Sequence, residues 1–268
     1  MEIDTHPLSG LPIAVDVDAA RLRFSAGVSA PAPDRRTAGE LRAMLRDPGA
    51  AAEALADDVV YTLYPGLATD ETGEEMGRRG LRYVALVVRA GTVGAEWVRT
   101  RGHTNSHAAG TPVPFPEVHE VWHGLALLYL QTAVAPEVDD VVAVPLGPGD
   151  KAVVPPGWAS LLVNIGASPL AVGTWRPADC VTRHEELEAL GGMAHYVLAG
   201  GEPGAYAFEP NTRYRTVPVP RIVPARDLPE FGLHRDEPMF TTFRRNPDFF
   251  RFLTRPQDHD AQWTSLYP

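Results

Sequence analysis

Histidine, carboxylate and amide side chains recur at short, even spacings in the middle of the chain. His103, Asn105 and His107 alternate along one stretch, and Glu117 and His119 alternate along a second. Residues i, i+2 and i+4 of a strand share one face, so each set would point to one side of a sheet. Together, two or three of these imidazoles and the carboxylate have the right chemistry for a divalent metal such as iron, zinc or manganese.

The segment between the two sets leaves a second interpretation open. Residues 106–116 contain several Ala, Gly and Pro, which favours a loop. His107 would then lie outside the sheet. In that interpretation His107, His119 and His123 are polar side chains that line a barrel or face solvent.

Short apolar runs surround these residues and predict the strands that position them. From Tyr83 to Asp179, Gly, Pro or Asp separates eight such runs, namely YVALVV, AEWVRT, EVHEVW, ALLYLQ, VVAVPL, KAVVP, LLVNIG and LAVGTW. Eight strands at this spacing suit a closed double-sheet barrel, in which closure removes the exposed edges. We therefore predict an all-β barrel core over residues 83–180.

The flanking segments carry weaker signals. Residues 1–82 read as an N-terminal extension, with strands at 11–18 and 59–64 and a short helix begun by the capping-box pair Thr37 and Glu40. Residues 181–268 read as a helical and extended tail, with one or two helical turns in 184–200 and a helix start at Asn246-Pro247. The tail is rich in Phe, so we expect it to pack on the barrel or on a second subunit.

Composition limits the class of protein. The 268-residue chain has a formal charge of −10, which argues against a nucleic-acid partner because phosphates would be repelled. Its only cysteine, Cys180, excludes an intramolecular disulfide and fits a reducing compartment. No stretch approaches the roughly 20 apolar residues of a membrane span. We expect a cytoplasmic protein that binds a small molecule, without a membrane partner.

Two spaced motifs resemble those of the cupin superfamily, whose strands form a double-stranded β-helix, or jelly roll. Six residues separate Glu117 from Gly124, as in the first cupin motif. The second motif is matched at its spacing by Gly149, Pro155, Gly157 and Asn164. The resemblance implies a cupin jelly-roll barrel, with short helical extensions at both ends.

Longer matches resemble the cupin-type glucose-6-phosphate isomerases of the archaeal type. The matched segments are DDVVYTLY (57–64), AGTVGAEWVRTRGH (90–103), PEV (116–118), LQ (130–131), PGDKAVVPPGWA (148–159), VNIG (163–166) and PAD (177–179). The resemblance implies a homodimer that interconverts an aldose phosphate and a ketose phosphate. It also implies a divalent metal held by three His and one Glu.

The metal site departs from that family pattern. His103 and Glu117 match two ligands, but Asn105 and Ser160 stand where the second and third His should be. Amide and hydroxyl oxygens are weak ligands for iron, zinc or manganese. A divalent metal is therefore expected only if His107 and His119 complete a ligand set with His103 and Glu117. Otherwise no cofactor is expected.

The resemblance also implies a substrate-binding set. Thr100 and Gly102 match positions that approach the substrate phosphate, and Arg101 replaces a Lys there. A hydroxyl, a guanidinium and a backbone N–H form a suitable anion cradle; the alternative is that they merely end a strand at the barrel mouth. The remaining members of the predicted set are Tyr61, Asn105 and Ser160.

Two family tyrosines are replaced by basic groups, His119 and Arg176. Aldose–ketose isomerisation needs a base to move a proton between carbons and an electrophile to stabilise the enediolate. Glu117, buried without a metal, is expected to have a raised pKa and to act as the base. His103 or His119 would pass protons between oxygens, and Arg176 or an imidazolium would supply the positive charge.

Three functions remain open. The matched segments favour a cupin isomerase acting on a sugar phosphate or a related hydroxy-carbonyl compound. The lost ligands and the long extension after residue 180 favour a repurposed, metal-independent cyclase, dehydratase or epimerase of a biosynthetic pathway. A non-catalytic small-molecule-binding cupin is the third alternative, because one barrel hosts many activities.

Overall fold

The computed structural model describes residues 1–29, 31–51, 56–108, 110–132 and 134–267. In chain order the strands are β1 (Glu2–Asp4), β2 (Ile13–Asp16), β3 (Arg21–Phe24), β4 (Val28–Ser29), β5 (Asp34–Thr37), β6 (Val59–Pro65), β7 (Ala68–Thr69), β8 (Leu81–Val88), β9 (Thr92–Val93), β10 (Glu96–Trp97), β11 (Thr104–Asn105), β12 (Glu117–His123), β13 (Ala126–Thr132), β14 (Val141–Leu146), β15 (Lys151–Val154), β16 (Trp158–Asn164), β17 (Leu170–Pro177), β18 (Thr182–Arg183), β19 (His195–Ala199), β20 (Tyr206–Pro210) and β21 (Arg221–Ile222).

The helices are short and lie mainly in the terminal segments. They are α1 (His6–Ser9), α2 (Ala38–Leu41), α3 (Gly73–Arg78), α4 (Glu185–Ala189), α5 (Met239–Arg245), α6 (Arg251–Thr254) and α7 (Asp260–Ser265). Single turns of 3₁₀ helix span Arg42–Met44, Pro48–Ala51, Pro229–Phe231, Pro247–Phe250 and Pro256–Asp258. No helix among the residues described above is both long and apolar enough to cross a membrane.

Two sheets enclose the central core. One has the strand order β15-β12-β17-β8-β6-β5, and the facing sheet has the order β16-β13-β14-β21. Apolar side chains from both sheets, such as Leu86 and Val172 from the first and Leu128 and Leu162 from the second, pack into one buried cluster. This arrangement confirms the predicted all-β, jelly-roll architecture.

All eight predicted strands of the core are present, as β8, β10 and β12 to β17. The run AEWVRT forms a shorter strand than predicted, β10. Beyond it the chain stays extended beside β16, through single bridges from Arg99 to Val163 and from His103 to Ser160. The predicted strands at 11–18 and 59–64 are confirmed as β2 and β6.

The six-stranded sheet extends beyond the predicted core segment 83–180. β5 and β6 come from earlier in the chain, and β6 pairs with β8 from Tyr61↔Val88 to Pro65↔Val84. On the facing sheet, β21 comes from the C-terminal segment and pairs in parallel with β14. The division of the chain into three segments stays a prediction.

The aromatic tail covers the outer face of the six-stranded sheet. Trp175 of β17 is fully buried, with its ring centroid 4.4 Å from that of Phe243 and 5.2 Å from that of Phe250. The predicted helix start is confirmed, because the Asn246 side chain accepts a hydrogen bond from the Asp248 N–H at 3.2 Å. The tail thus buries these rings on its own barrel.

Candidate active site

A pocket of about 740 Å³, its mouth included, opens between the two sheets. Its lining includes three guanidiniums, three imidazoles, one carboxylate and several hydroxyls. The polar lining residues are Arg36, Arg101, Arg176, His103, His119, His184, Glu117, Tyr61, Thr100, Ser160, Thr174 and Thr182. Among the described lining residues Glu117 is the sole acid, so the walls favour an anionic ligand.

Glu117 is the first residue of β12 and is 1% exposed. Its Oε1 lies 3.1 Å from His103 Nε2 and 3.4 Å from His119 Nε2, and it accepts a hydrogen bond from Ser160 Oγ at 3.4 Å. Its Oε2 makes no hydrogen bond within the described part of the chain. The carboxylate is therefore held through one oxygen, while the other is available to a ligand.

The charge state of Glu117 differs from the prediction. Burial alone would raise the pKa of this carboxyl, but the adjacent His103 and His119 together outweigh burial and hold the pKa well below its ordinary value. The predicted raised pKa was wrong, because it counted burial without the two imidazoles.

His119 is fixed from both sides. It follows Glu117 by two residues on β12, so both side chains face the pocket. Its Nδ1 lies 2.8 Å from the Thr174 hydroxyl, while its Nε2 faces Glu117. Since an ionised carboxylate only accepts hydrogen bonds, the Nε2 atom of His119 is the donor group that faces Glu117.

Arg176 lies on β17, two residues after Thr174 and on the same face. Its Nη2 donates to Cys180 Sγ at 3.0 Å and, at 3.4 Å, to Asn105 Oδ1. No carboxylate within the described residues forms an ion pair with it. Burial would lower the pKa of Arg176, but the nearby Glu117 charge raises it, so the guanidinium stays protonated.

Contrary to the prediction from sequence, His103, Asn105 and His107 do not share one face. His103 lines the pocket, whereas Asn105 is buried behind it and donates from Nδ2 to Phe115 O at 3.0 Å. His107 is exposed and pairs with Pro114 across a loop. The Ala-, Gly- and Pro-containing segment after Asn105 turns the chain away from the barrel, so His107 is not placed as a metal ligand.

The donor set does not fit a metal centre. His103 and His119 both direct Nε2 at Glu117 Oε1, so each imidazole already contacts the carboxylate with which it would have to share a metal ion. The residues that the structure describes contain no group of three or more His, Cys, Asp or Glu that could hold a metal ion.

Tyr61, Thr100 and Arg101 of the predicted anion cradle also line the pocket. Tyr61 Oη accepts a hydrogen bond from the Arg101 backbone N–H at 3.3 Å, and Thr100 Oγ1 accepts one from the Leu162 N–H at 3.0 Å. The Arg101 guanidinium pairs with Glu188, but its buried Nε has no partner in the described part of the chain. An orphaned donor facing a pocket is suited to a ligand oxygen.

Gly102 contributes differently from the prediction. Its carbonyl accepts a hydrogen bond from His184 Nδ1 at 2.8 Å, and its Cα faces Leu187 and Met193 rather than the cavity. His184 lines the pocket. Gly102 therefore positions an imidazole that the sequence analysis did not single out.

Four polar pocket residues were missed from sequence: Arg36, Thr174, Thr182 and His184. The alternation of LAVGTWRP places Thr174 on the face of Arg176, and that signal would have found it. Arg36 enters because β5 pairs with β6, opposite Tyr61. His184 enters through the pairing of β18 with β11, which no local spacing reveals.

Comparison with known proteins gives this geometry a context. The family model for glucose-6-phosphate isomerase (GPI) matches residues 35–212, which is well over half of the chain. The glucose-6-phosphate isomerase of Thermococcus kodakarensis is 30% identical over 196 residues, covering 71% of this chain and 92% of the relative. That of Thermococcus onnurineus is 29% identical over 168 residues, covering 62% and 81%.

Solved structures show more distant similarity. A vicilin from Solanum melongena has 16% identity and a TM-score of 0.35 over 47% of this chain and 31% of its own. An oxalate oxidase has 12% identity and a TM-score of 0.33 over 43% and 50%. These values are too low to support an argument about function. The extent of the sequence match decides the relationship, and the chain belongs to the glucose-6-phosphate isomerase family, with a cupin barrel.

Proposed function

We propose that this isomerase interconverts an aldose phosphate and a ketose phosphate, or a related hydroxy-carbonyl compound, with Glu117 as the base. The observation that carries the proposal is the arrangement of Glu117, whose Oε1 is held by His103, His119 and Ser160 while Oε2 is free of hydrogen bonds in the described residues. The names of the two Thermococcus relatives support the reaction class.

The proposed step is a proton transfer between adjacent carbons. Glu117 Oε2 takes the proton from C2 of the open-chain aldose, and the C–H electron pair forms the C1=C2 bond as negative charge moves to O1. The resulting enediolate is stabilised by Arg176, and His119 or His103 passes a proton between O1 and O2. Glu117 then gives the proton that it took from C2 to C1, which produces the ketose and restores the carboxylate.

The phosphate is proposed to bind to the cradle residues. Arg101, whose Nε has no partner in the described residues, lines the pocket together with Tyr61, Thr100 and Arg36. Guanidinium and hydroxyl donors suit phosphate oxygens. In this orientation the carbonyl end of the substrate lies towards Glu117 and Arg176.

A second candidate is a repurposed, metal-independent epimerase, dehydratase or cyclase. It is favoured by the absence of a metal-binding group among the described residues and by Arg176 beside the carboxylate. Epimerisation also begins with proton abstraction next to a carbonyl. The two candidates therefore share Glu117 as the base and differ in the product.

We further propose that the enzyme works in the cytoplasm as a homodimer. The single cysteine, Cys180, is free and buried, as expected for a reducing compartment. The homodimer is supported by the family resemblance alone, because the aromatic tail already packs on its own barrel.

The test is a turnover assay with fructose 6-phosphate and glucose 6-phosphate. Glu117→Gln should lower kcat by about 100- to 10,000-fold, because it removes a general base. Ser160→Ala is the matched control, since it removes only one hydrogen bond to Oε1 and should retain turnover within about tenfold. Circular dichroism should show both variants folded. No turnover of either phosphate by the wild-type protein would rule out these two sugar phosphates as substrates, and full turnover by Glu117→Gln would contradict the role of Glu117 as the base.

A further inference from the structure

A second groove lies behind the pocket, on the outer face of the six-stranded sheet. It runs between the free edge of β3 and the outer faces of β5, β6 and β8, and it encloses about 1400 Å³ of space, including open solvent. β6 separates the groove from the pocket. The arginines that line the groove are Arg21, Arg23, Arg35 and Arg89.

The charges in this groove are unevenly balanced. Arg21 and Arg23 share the carboxylate of Asp16, at 3.3 and 3.0 Å. The guanidinium of Arg35 has no hydrogen bond or ion pair among the residues described, and Arg89 bonds only the carbonyl of Ala90, at 3.1 Å.

Among the described residues that line the groove, Asp18 has the only acidic side chain, and it is paired with the N-terminal amine. A protein with a formal charge of −10 therefore presents two unneutralised guanidiniums in one groove. The local charge favours an anion.

The groove floor also holds a hydroxyl without a partner. Thr62 is 5% exposed and lines the groove, and its Oγ1 makes no hydrogen bond with the residues described. Thr62 lies between Arg35 of β5 and Val87 of β8 in the sheet register. A hydroxyl that lines a groove and has no internal partner can bond a ligand oxygen.

The register fixes the spacing of the two arginines. Arg35 lies opposite Thr62, and the Arg89 N–H bonds the Val60 carbonyl, two residues before Thr62 on β6. With strands about 4.8 Å apart and about 3.3 Å per residue, the two Cα atoms are roughly 12 Å apart across the sheet. Two long side chains at that spacing can hold the ends of an anion longer than one phosphate.

We propose that this groove binds an oligophosphate, that is, two or more linked phosphate groups, free or carried by a nucleotide. Arg35 and Arg89 hold the phosphate oxygens, and the Thr62 hydroxyl donates to the oxygen between them. The site is separate from the Glu117 pocket. Of the residues assigned to the proposed isomerisation reaction, Tyr61 of β6 lines both cavities, but it is not one of the three groups proposed to hold the phosphates.

The test is calorimetric titration at low ionic strength with inorganic pyrophosphate and with ADP. The double variant Arg35→Gln/Arg89→Gln should bind both at least about 100-fold more weakly, since each charge-assisted contact contributes about tenfold. Arg82→Gln, an exposed arginine outside the groove, is the matched control and should bind like the wild-type protein. Arg101→Gln should also retain binding, because Arg101 lines the other pocket.

The outcomes separate this site from the isomerase. Equal affinity for pyrophosphate and ADP would assign the groove to the oligophosphate itself, and tighter binding of ADP would assign it to a nucleotide; both support the proposal. It is overturned if the wild-type protein binds neither probe, if the double variant binds as tightly as the wild type, or if Arg101→Gln abolishes binding. Isomerase turnover is measured on the same double variant and should be unchanged.

Discussion

The two oxygens of Glu117 lie in different surroundings, and this difference carries the proposed chemistry. Oε1 faces His103, His119 and Ser160, so the carboxylate cannot rotate without losing contacts with all three. Oε2 is left to face a ligand. A base held in one orientation spends no free energy on being aligned when the substrate binds.

Arg176 and Arg101 should have separable effects on the kinetics. Arg176 faces the reacting end, so Arg176→Gln should lower kcat by about 100-fold with little change in KM, because charge develops there only in the transition state. Arg101 faces the proposed phosphate, so Arg101→Gln should mainly raise KM. Steady-state kinetics with fructose 6-phosphate measure both. If Arg176→Gln raised KM without lowering kcat, the phosphate would lie at Arg176 and the proposed orientation of the substrate would be wrong.

A buried histidine outside the pocket should make stability depend on pH. His195 is 5% exposed, its Nδ1 lies 2.8 Å from Tyr129 Oη, and burial lowers its pKa from 6.5 to about 4. Between these values the unfolded chain binds a proton that the folded chain does not, so stability is complete above pH 6.5 and falls as the pH drops towards 4.

Urea unfolding at pH 7 and pH 5 tests this effect. His195 should account for a loss of about 2 kcal/mol at pH 5. The variant His195→Gln, which has no titrating group there, should lose correspondingly less between the two pH values. An equal loss in both proteins would show that His195 is protonated as readily in the folded state as in the unfolded chain.

β12 is buried on both faces, and the side chains on its two faces contact different parts of the molecule. Glu117 and His119 point into the pocket, while Glu120 points outward beneath the tail. Glu120 Oε1 lies 2.9 Å from Lys151 Nζ and accepts the Met239 N–H at 2.9 Å. A buried ion pair thus ties the start of α5 to the strand that carries the base.

Removing one partner of that ion pair should lower the free energy of unfolding. Glu120→Ala leaves the Lys151 ammonium, 4% exposed, without its carboxylate and is expected to lower the free energy of unfolding by about 3–5 kcal/mol. Replacing both partners, as Glu120→Leu/Lys151→Met, should recover only part of the loss, because the buried Met239 N–H and Trp122 Nε1–H also lose their acceptor. Arg226→Ala, which breaks an exposed pair with Glu230, should change it by about 0.5 kcal/mol or less. Urea unfolding gives all three values, and a loss below about 1 kcal/mol for Glu120→Ala would contradict this role.

Local patterns were sufficient to predict the strands and insufficient to predict the strand partners. Alternation and turn residues located all eight core strands, because each depends on its own side chains. The capping pair at Thr37 was also predictive, since the Glu40 carboxylate accepts the Thr37 N–H at 2.8 Å. The pairing of β5 with β6 and of β11 with β18 depends on distant segments, so Arg36 and His184 were missed.

At the scale of the whole molecule, the fold gathers cationic side chains that the net charge conceals. The chain is acidic overall, with 34 acidic against 24 basic residues, yet the described pocket lining has three arginines and one carboxylate. Net charge argued against a nucleic-acid partner, but it did not reveal a local site for a small anion. The predicted homodimer stays a prediction, which light scattering on the purified protein would test.

In the proposed reaction the Glu117 carboxylate moves a proton between adjacent carbons, and Arg176 takes the place of a metal ion. This reaction is tested by conversion of fructose 6-phosphate in D₂O by protein first dialysed against a chelator, with the product analysed by proton NMR. We expect turnover with deuterium at C2 of the aldose phosphate for the wild-type protein, and little of either for Glu117→Gln. Loss of turnover on chelation would show that a metal ion is required, and unchanged turnover and deuterium uptake in Glu117→Gln would show that another group moves the proton.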